Sequence, residues 1–304
     1  MAISSLPGLW TLVSKRCNNF LLPGSSRSTC CKFMLDGFFI GFVRRDALHL
    51  LLQYSTVFVS AMDPVSGEEC ITLHPSLRTQ QDRSMAVQDA MLHLRTTESV
   101  PALKGWRNED YGVYVHDRSK CLFTIERSAS PLLGFTRFGC HVNGYCIRSS
   151  PDGSNDLQSL SPAPPSNSSN AAGGLTFGLD IMECARKECK EEANVPEDLL
   201  QKLLPVSRLS CIYEDDRGVC PQVEYCFDLE LPSDFVPFGA DGEVDNFQLV
   251  PIPQVKELIL SDRFKANSAL VVLDFLYRHK FIDPNSDPLH QKIIALMHVK
   301  FEFD

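Results

Sequence analysis

The apolar positions of this chain fall into two periods. Along residues 219–231, Val223, Tyr225, Phe227 and Leu229 alternate with polar neighbours, the two-residue period of a half-buried strand. Residues 206–214 supply a partner across Asp215-Asp216-Arg217-Gly218, so the spacing predicts a hairpin. A second hairpin is expected at 32–43, around Asp36-Gly37, and further strands at 57–60, 70–73, 122–126 and 244–251. A helical period marks 79–97, where Met85, Val87, Ala90, Met91 and Leu94 are expected to lie mostly on one face. Other helices are expected at 44–54, at 253–260 opening on its proline, and at the strongly apolar 267–279. Residues 284–304 are read as a tail.

One stretch breaks the pattern. Residues 149–172 (SSPDGSNDLQSLSPAPPSNSSNAA) are rich in Ser, Pro and Asn and poor in side chains that can pack. They are expected to be a disordered loop.

The run Gly173-Gly174-Leu175-Thr176-Phe177-Gly178 follows directly and feeds a short helix. Asp180 stands at the N-cap, and Glu183 can reach back to it. Ile181, Met182, Ala185, Cys189 and Ala193 supply an apolar face. Asn194 suits a left-handed C-terminal residue, and Pro196 ends the helix. On the polar side Glu188, Glu191 and Glu192 stand at i, i+3 and i+4 and project together. Three carboxylates so placed repel one another unless water screens them or a hard cation lies between them. A solvated Glu/Lys face is the bland reading of the triplet. The glycines in front favour the other, because they let backbone approach a phosphate at a helix start.

Composition narrows the partners. The 304 residues carry a net charge of -9, which argues against a nucleic-acid backbone and leaves a small anionic substrate in need of a local metal. The 12 cysteines include no CxxC, so buried thiols in a reducing compartment, taken here as the cytoplasm, are expected rather than a disulfide framework. No apolar run is long enough to span a membrane. Residues 1–35 contain no acid, a transit-like composition that is equally that of an N-terminal helix of the first domain, the reading taken. Oligomeric state is not readable.

The run 173–195 resembles the Nudix box. That motif has a glycine, a glutamate six positions on, then after seven more residues Arg-Glu-U-x-Glu-Glu-x-Gly-U, with U apolar. Gly173 matches the first glycine, Glu188, Glu191 and Glu192 the acidic core, and Cys189 and Val195 the U positions. Leu179, Lys187 and Asn194 depart from it, replacing the first glutamate, the arginine and the late glycine. The lost glutamate puts the bracing of loop and helix in question more than the metal ligands.

Arg16-Cys17-Asn18-Asn19-Phe20, Asp36-Gly37 with Gly41-Phe42-Val43, Gly105-Trp106-Arg107, and residues 138–145 (FGCHVNGY) resemble the Nudix branch that carries a domain of unknown function in front, related to the Nudix part of fungal thiamine pyrophosphokinase fusions. This implies an α+β fold: a small N-terminal α+β domain at 1–132, a Nudix α/β/α sandwich with a mixed sheet at 133–283, and the tail. It also implies Mg²⁺ or Mn²⁺ held by Glu188, Glu191 and Glu192, and phosphate contacts at Gly173, Gly174 and Gly178. Glu243, just before the strand expected at 244–251, is the choice for a further metal carboxylate. The implied reaction is hydrolysis of a pyrophosphate bond in a nucleoside diphosphate derivative or in thiamine diphosphate or an oxidised form of it. The rival is a Nudix-like binding module that no longer turns over. His141 is expected to hydrogen-bond structurally rather than catalyse.

Overall fold

Asp36 and Gly37 both adopt left-handed backbone, with φ of 53° and 84°, and so close the expected hairpin between β1 (Cys31–Leu35) and β2 (Phe38–Val43). In this computed structural model the described residues are 8–98, 100–115, 118–149, 155–162, 171–236, 247–262 and 264–303. After β2 come α1 (Arg45–Leu51), β3 (Phe58–Met62) and β4 (Glu69–Leu73). The four strands form one sheet in the order β2-β1-β4-β3, with β1 and β4 parallel.

Helix α2 (Gln80–Thr97) opens on a capping box between Thr79 and Asp82, and Val87, Ala90, Met91 and Leu94 enter the same core as Phe33 and Phe58. Met85 does not join them and is 59% exposed. Its place is set by geometry: the inward face runs from Arg83 through 87 and 91, and Met85 lies off that row. Arg83 is buried because it forks onto both carboxylate oxygens of Asp36, at 2.9 and 2.7 Å, and so locks the hairpin turn.

β5 (Asp110–Val115) and β6 (Lys120–Glu126) form a separate antiparallel ribbon. The single turn α3 (Ser130–Leu133) then leads to β7 (Arg137–Ser149), β8 (Asn155–Pro162), β9 (Ala171–Gly174), α4 (Ile181–Ala193) and α5 (Glu197–Leu200). The long hairpin of β10 (Leu204–Asp215) and β11 (Gly218–Glu230) follows, then β12 (Phe247–Pro251), α6 (Ile252–Leu260), α7 (Ala266–Arg278) and α8 (His290–Met297). The main sheet runs β10-β11-β7-β8-β12, with β9 also paired to β7; the β11–β7 pair is parallel and the others antiparallel. One face of this mixed sheet packs on α4 through Cys140, Val142, Ala185 and Cys189. The other packs on α6 and α7 through Cys226, Val255 and Leu270. The chain is thus α+β, with a three-layered helix–sheet–helix unit.

Two expectations need correction, the loop at 149–172 and the tail. The stretch 149–172 is not a continuous disordered loop: β8 lies inside the main sheet and β9 begins at Ala171. β8 is held on both edges, 155–159 against β7 and 158–162 against β12, so backbone ladders order a segment with few packing side chains. Residues 150–154 and 163–170 of that stretch lie outside the described residues. The N-terminal helical turn Thr11–Arg16 packs away from the first sheet. Leu9, Leu12 and Val13 are buried with α6 and α7, and Arg16 donates to the Ile259 and Phe264 carbonyls. The tail carries α8, whose Ile293 and Met297 are buried, and the Val299 amide donates to the Ser210 carbonyl of β10 at 3.3 Å. All 12 cysteines are free thiols, and ten are buried.

Candidate active site

Helix α4 is delimited by the caps read from the sequence. Asp180 Oδ1 accepts from the Met182 and Glu183 amides at 2.8 and 3.3 Å, and the Asp180 amide donates to Glu183 Oε2 at 3.4 Å. Asn194 takes φ 48°, and the Asn194 and Val195 amides return to the Lys190 and Cys189 carbonyls. These caps fix which residues of the helix turn toward β9.

The three glutamates meet different partners. Glu188 is half-buried, with its carboxylate against the backbone of Gly173: a Cβ there would lie 2.1 Å from the carboxyl carbon. Glu191 is exposed and lies 3.6 Å from Lys187 Nζ, one turn back. Glu192 is buried, and one of its oxygens accepts the Ala172 amide of β9 at 2.9 Å. Glu188 and Glu192 therefore both meet β9, at Gly173 and Ala172, while Glu191 stands exposed beside Lys187.

Burial pushes the Glu188 carboxyl above its ordinary range; Lys187 opposes this, and the charges of Glu191 and Glu109 add to it. Lys187 is held above its usual value: burial works against its charge, but Glu191, Glu188 and Glu109 outweigh that.

The glycine run has two parts. Gly173 and Gly174 end β9 and pair with Cys140 and Gly139 of β7. Both are places of close approach: a Cβ on Gly174 would lie 1.4 Å from the Tyr111 hydroxyl oxygen. Gly178 is in the turn before α4 at φ +86°, with open space where a side chain would go. Leu179 is half-buried and packs on the core under α4.

Sequence reasoning missed the contribution of β5 and β6. Glu109, just before β5, accepts from Thr176 Oγ1 at 2.6 Å and from Arg127 Nη1 at 2.5 Å. The Phe177 amide donates to the Asp110 carbonyl at 2.8 Å. Burial alone would raise the Glu109 carboxyl, but Thr176 and Arg127 hold it below its ordinary value. No local pattern marks these residues, because their partners lie far along the chain. His141 is buried beside Glu224, 3.3 Å away, on the sheet face away from α4, a structural pairing. Glu243 lies outside the described residues.

The donor set suits a hard divalent cation in its chemistry: carboxylate oxygens, with Glu188 seated in a cradle that only a glycine leaves open. Among the described residues no three acidic, His or Cys side chains converge as a metal cluster. Mg²⁺ is commonly held by one or two carboxylates, waters and substrate phosphates, a demand that Glu188 and Glu191 would meet.

Comparison with known proteins decides the family. Residues 156–272 match the NUDIX domain, and residues 10–137 match a domain of unknown function, DUF4743. Nudix hydrolase 20, chloroplastic, of Arabidopsis thaliana is 34% identical over 296 residues, covering 93% of this chain and 76% of its own. The chain belongs to the Nudix hydrolase family. Nudix hydrolase 24, chloroplastic, of the same plant is 33% identical over 261 residues, covering 84% and 69%. A solved Ap4A hydrolase of C. elegans is 17% identical, covering 47% of this chain and 98% of its own, with a TM-score of 0.34. This Nudix hydrolase is a pyrophosphohydrolase by family, and Nudix hydrolases generally use divalent metal ions. Among the described residues no helix is long and apolar enough to cross a membrane.

Proposed function

We propose that this Nudix hydrolase cleaves the pyrophosphate bond of a nucleoside diphosphate derivative, or of thiamine diphosphate or an oxidised form of it, and releases monophosphate products. The observation that carries the reading is the seat of Glu188 over Gly173, with Glu191 beside it, at the entry of the glycine loop. Glu188, Glu191 and Glu192 are the residues to hold Mg²⁺ or Mn²⁺, with Glu243 as the later carboxylate. When bound, the ion supplies charge neutralisation to the diphosphate and acidifies a water.

The chain's own residues do the rest. Glu188, seated against Gly173 where the glycine loop meets α4, takes the proton of the attacking water. Glu192 keeps β9 and α4 in register through Ala172, so the diphosphate meets a fixed edge. Gly173, Gly174 and Gly178 let phosphate oxygens come close to backbone, and Gly178 has the open space for it.

A second reading is a binding module without turnover. It is favoured by the engagement of Glu192 with β9, which keeps the three carboxylates from converging. Monophosphate or phosphate release from a panel of nucleoside diphosphate derivatives and thiamine diphosphates, with Mg²⁺ and with chelator, separates the two. Mg²⁺-dependent release supports the enzyme; tight binding with no release on any member supports the module. The compartment proposed from the thiol-rich composition is the cytoplasm, and the names of the two Arabidopsis relatives set the plastid as the alternative for a localisation experiment.

A further inference from the structure

The loop that carries the site has no anchor of its own. From Gly173 to Leu179 the chain reads GGLTFGL, without a charged side chain; the Leu179 side chain packs on the core under α4, and its carbonyl accepts from Arg118 Nη2 at 3.4 Å. Its conformation is set by few bonds. The Leu175 amide reaches the Phe138 carbonyl at 2.8 Å, and the Leu179 amide turns back to Thr176 at 3.2 Å. Two further ties come from the edge of β5: the Phe177 amide to the Asp110 carbonyl, and the Thr176 hydroxyl to Glu109.

Glu109 is itself held from every side. Its amide donates to Glu126 Oε2 at 3.1 Å, and Glu126 is fully buried and also takes the Arg107 and Ser128 amides. Its carbonyl accepts the Arg127 amide at 2.8 Å, while its carboxylate is shared between Arg127 and Thr176. A carboxylate so fixed is pre-organised, and its bond to Thr176 is not lost to side-chain disorder.

We propose that Glu109, from the region that precedes the Nudix domain, is a positioning residue of the active site: through Thr176 it sets the loop between β9 and α4, and so the place of Glu188 against Gly173. This rests on the reading of α4 as the catalytic helix. The DUF4743 region then completes the hydrolase site.

The test uses the full chain and two readouts. Amide hydrogen exchange over residues 175–179 is compared in wild type, Glu109→Ala, Thr176→Val, the double variant and Glu109→Gln. Turnover of an accepted diphosphate with Mg²⁺ is measured alongside. Glu109→Ala and Thr176→Val are each expected to speed loop exchange at least tenfold, with β7 and α7 unchanged. Each is expected to lower kcat roughly tenfold to a hundredfold, as misplacement of reacting groups does. The double variant is expected to be no worse than the worse single, because both remove one bond. Glu109→Gln keeps an oxygen for the Thr176 hydroxyl and is expected to recover most of the loop protection. If Glu109→Ala does not fold, Thr176→Val, which leaves β5 and β6 intact, carries the test.

Unchanged loop exchange in Thr176→Val, or fully additive losses in the double variant, overturns the proposal. If wild type turns over no diphosphate, the enzymatic reading fails and the exchange arm still decides the role of Glu109. If wild type turns over and the single variants match it, the positioning role fails and the enzymatic reading stands.

Discussion

The Glu188 carboxylate lies directly over Gly173, with its carboxyl carbon 2.1 Å from where a Cβ on that residue would stand. No side chain fits there without displacing the carboxylate or β9. Gly173→Ala is therefore expected to lower kcat by roughly 10²-fold, the scale of a misplacement of about an ångström. Gly178→Ala makes the contrast. It meets nothing within 4 Å but must hold φ +86°, so a stability loss of about 1–2 kcal/mol is expected in urea melts.

Glu191→Gln and Glu192→Gln test the acidic face of α4. Both are expected to cut turnover by roughly 10²–10⁴-fold, the kinetic equivalent of several kcal/mol of lost charge stabilisation. Both should stay folded. Glu191 is exposed, and Gln at 192 keeps an oxygen for the Ala172 amide. Steady-state kinetics with circular dichroism checks this. Wild-type turnover in both removes the assignment of the acidic face.

Asn194 ends α4 in left-handed backbone at φ 48°. Asn194→Gly removes the Cβ penalty and is expected to raise stability by about 0.5 kcal/mol with kcat unchanged. Asn194→Ala is expected to lower stability by about 1 kcal/mol. Thermal or urea unfolding reads both.

Helix α4 was legible because its signals are local. The Asp180–Glu183 box, the apolar positions and Asn194 all lie within one stretch, and each formed as read. The hairpins at Asp36-Gly37 and Asp216-Arg217 were legible for the same reason. β8 was not, because its order comes from ladders to β7 and β12 and its own residues resemble those of a linker. Glu109 was hidden by distance: its partner Thr176 is 67 residues away. The packing of the N-terminal turn on α6 and α7 was not legible, because the Ile259 and Phe264 carbonyls that Arg16 meets lie 243 and 248 residues away.

Asp228 on β11 gives the acid limb of stability. Burial would raise its carboxyl, but hydrogen bonds from His279 and Arg278, with Asn143, hold it below the ordinary 3.8. Its folded pKa is thus below its unfolded value, and the native state binds fewer protons. The stabilisation is fully present above the unfolded pKa and is lost as pH falls through the folded one. Asp228→Asn is expected to cost about 3 kcal/mol at pH 7 and to flatten the stability curve below about pH 4. Urea melts across pH 2–7 measure this, on the scale where a carboxylate of ordinary pKa ~4 titrates. A variant with an unchanged acid limb contradicts it.

The most direct measurement is Mn²⁺ uptake followed by electron paramagnetic resonance, in the presence of a non-hydrolysable diphosphate. Wild type is expected to take up the ion, and the Glu188→Gln/Glu191→Gln double variant to lose at least tenfold in affinity, the ~1.4 kcal/mol or more that two carboxylate ligands contribute. No uptake by wild type, or equal affinity in the double variant, contradicts a metal-bearing acidic face on α4.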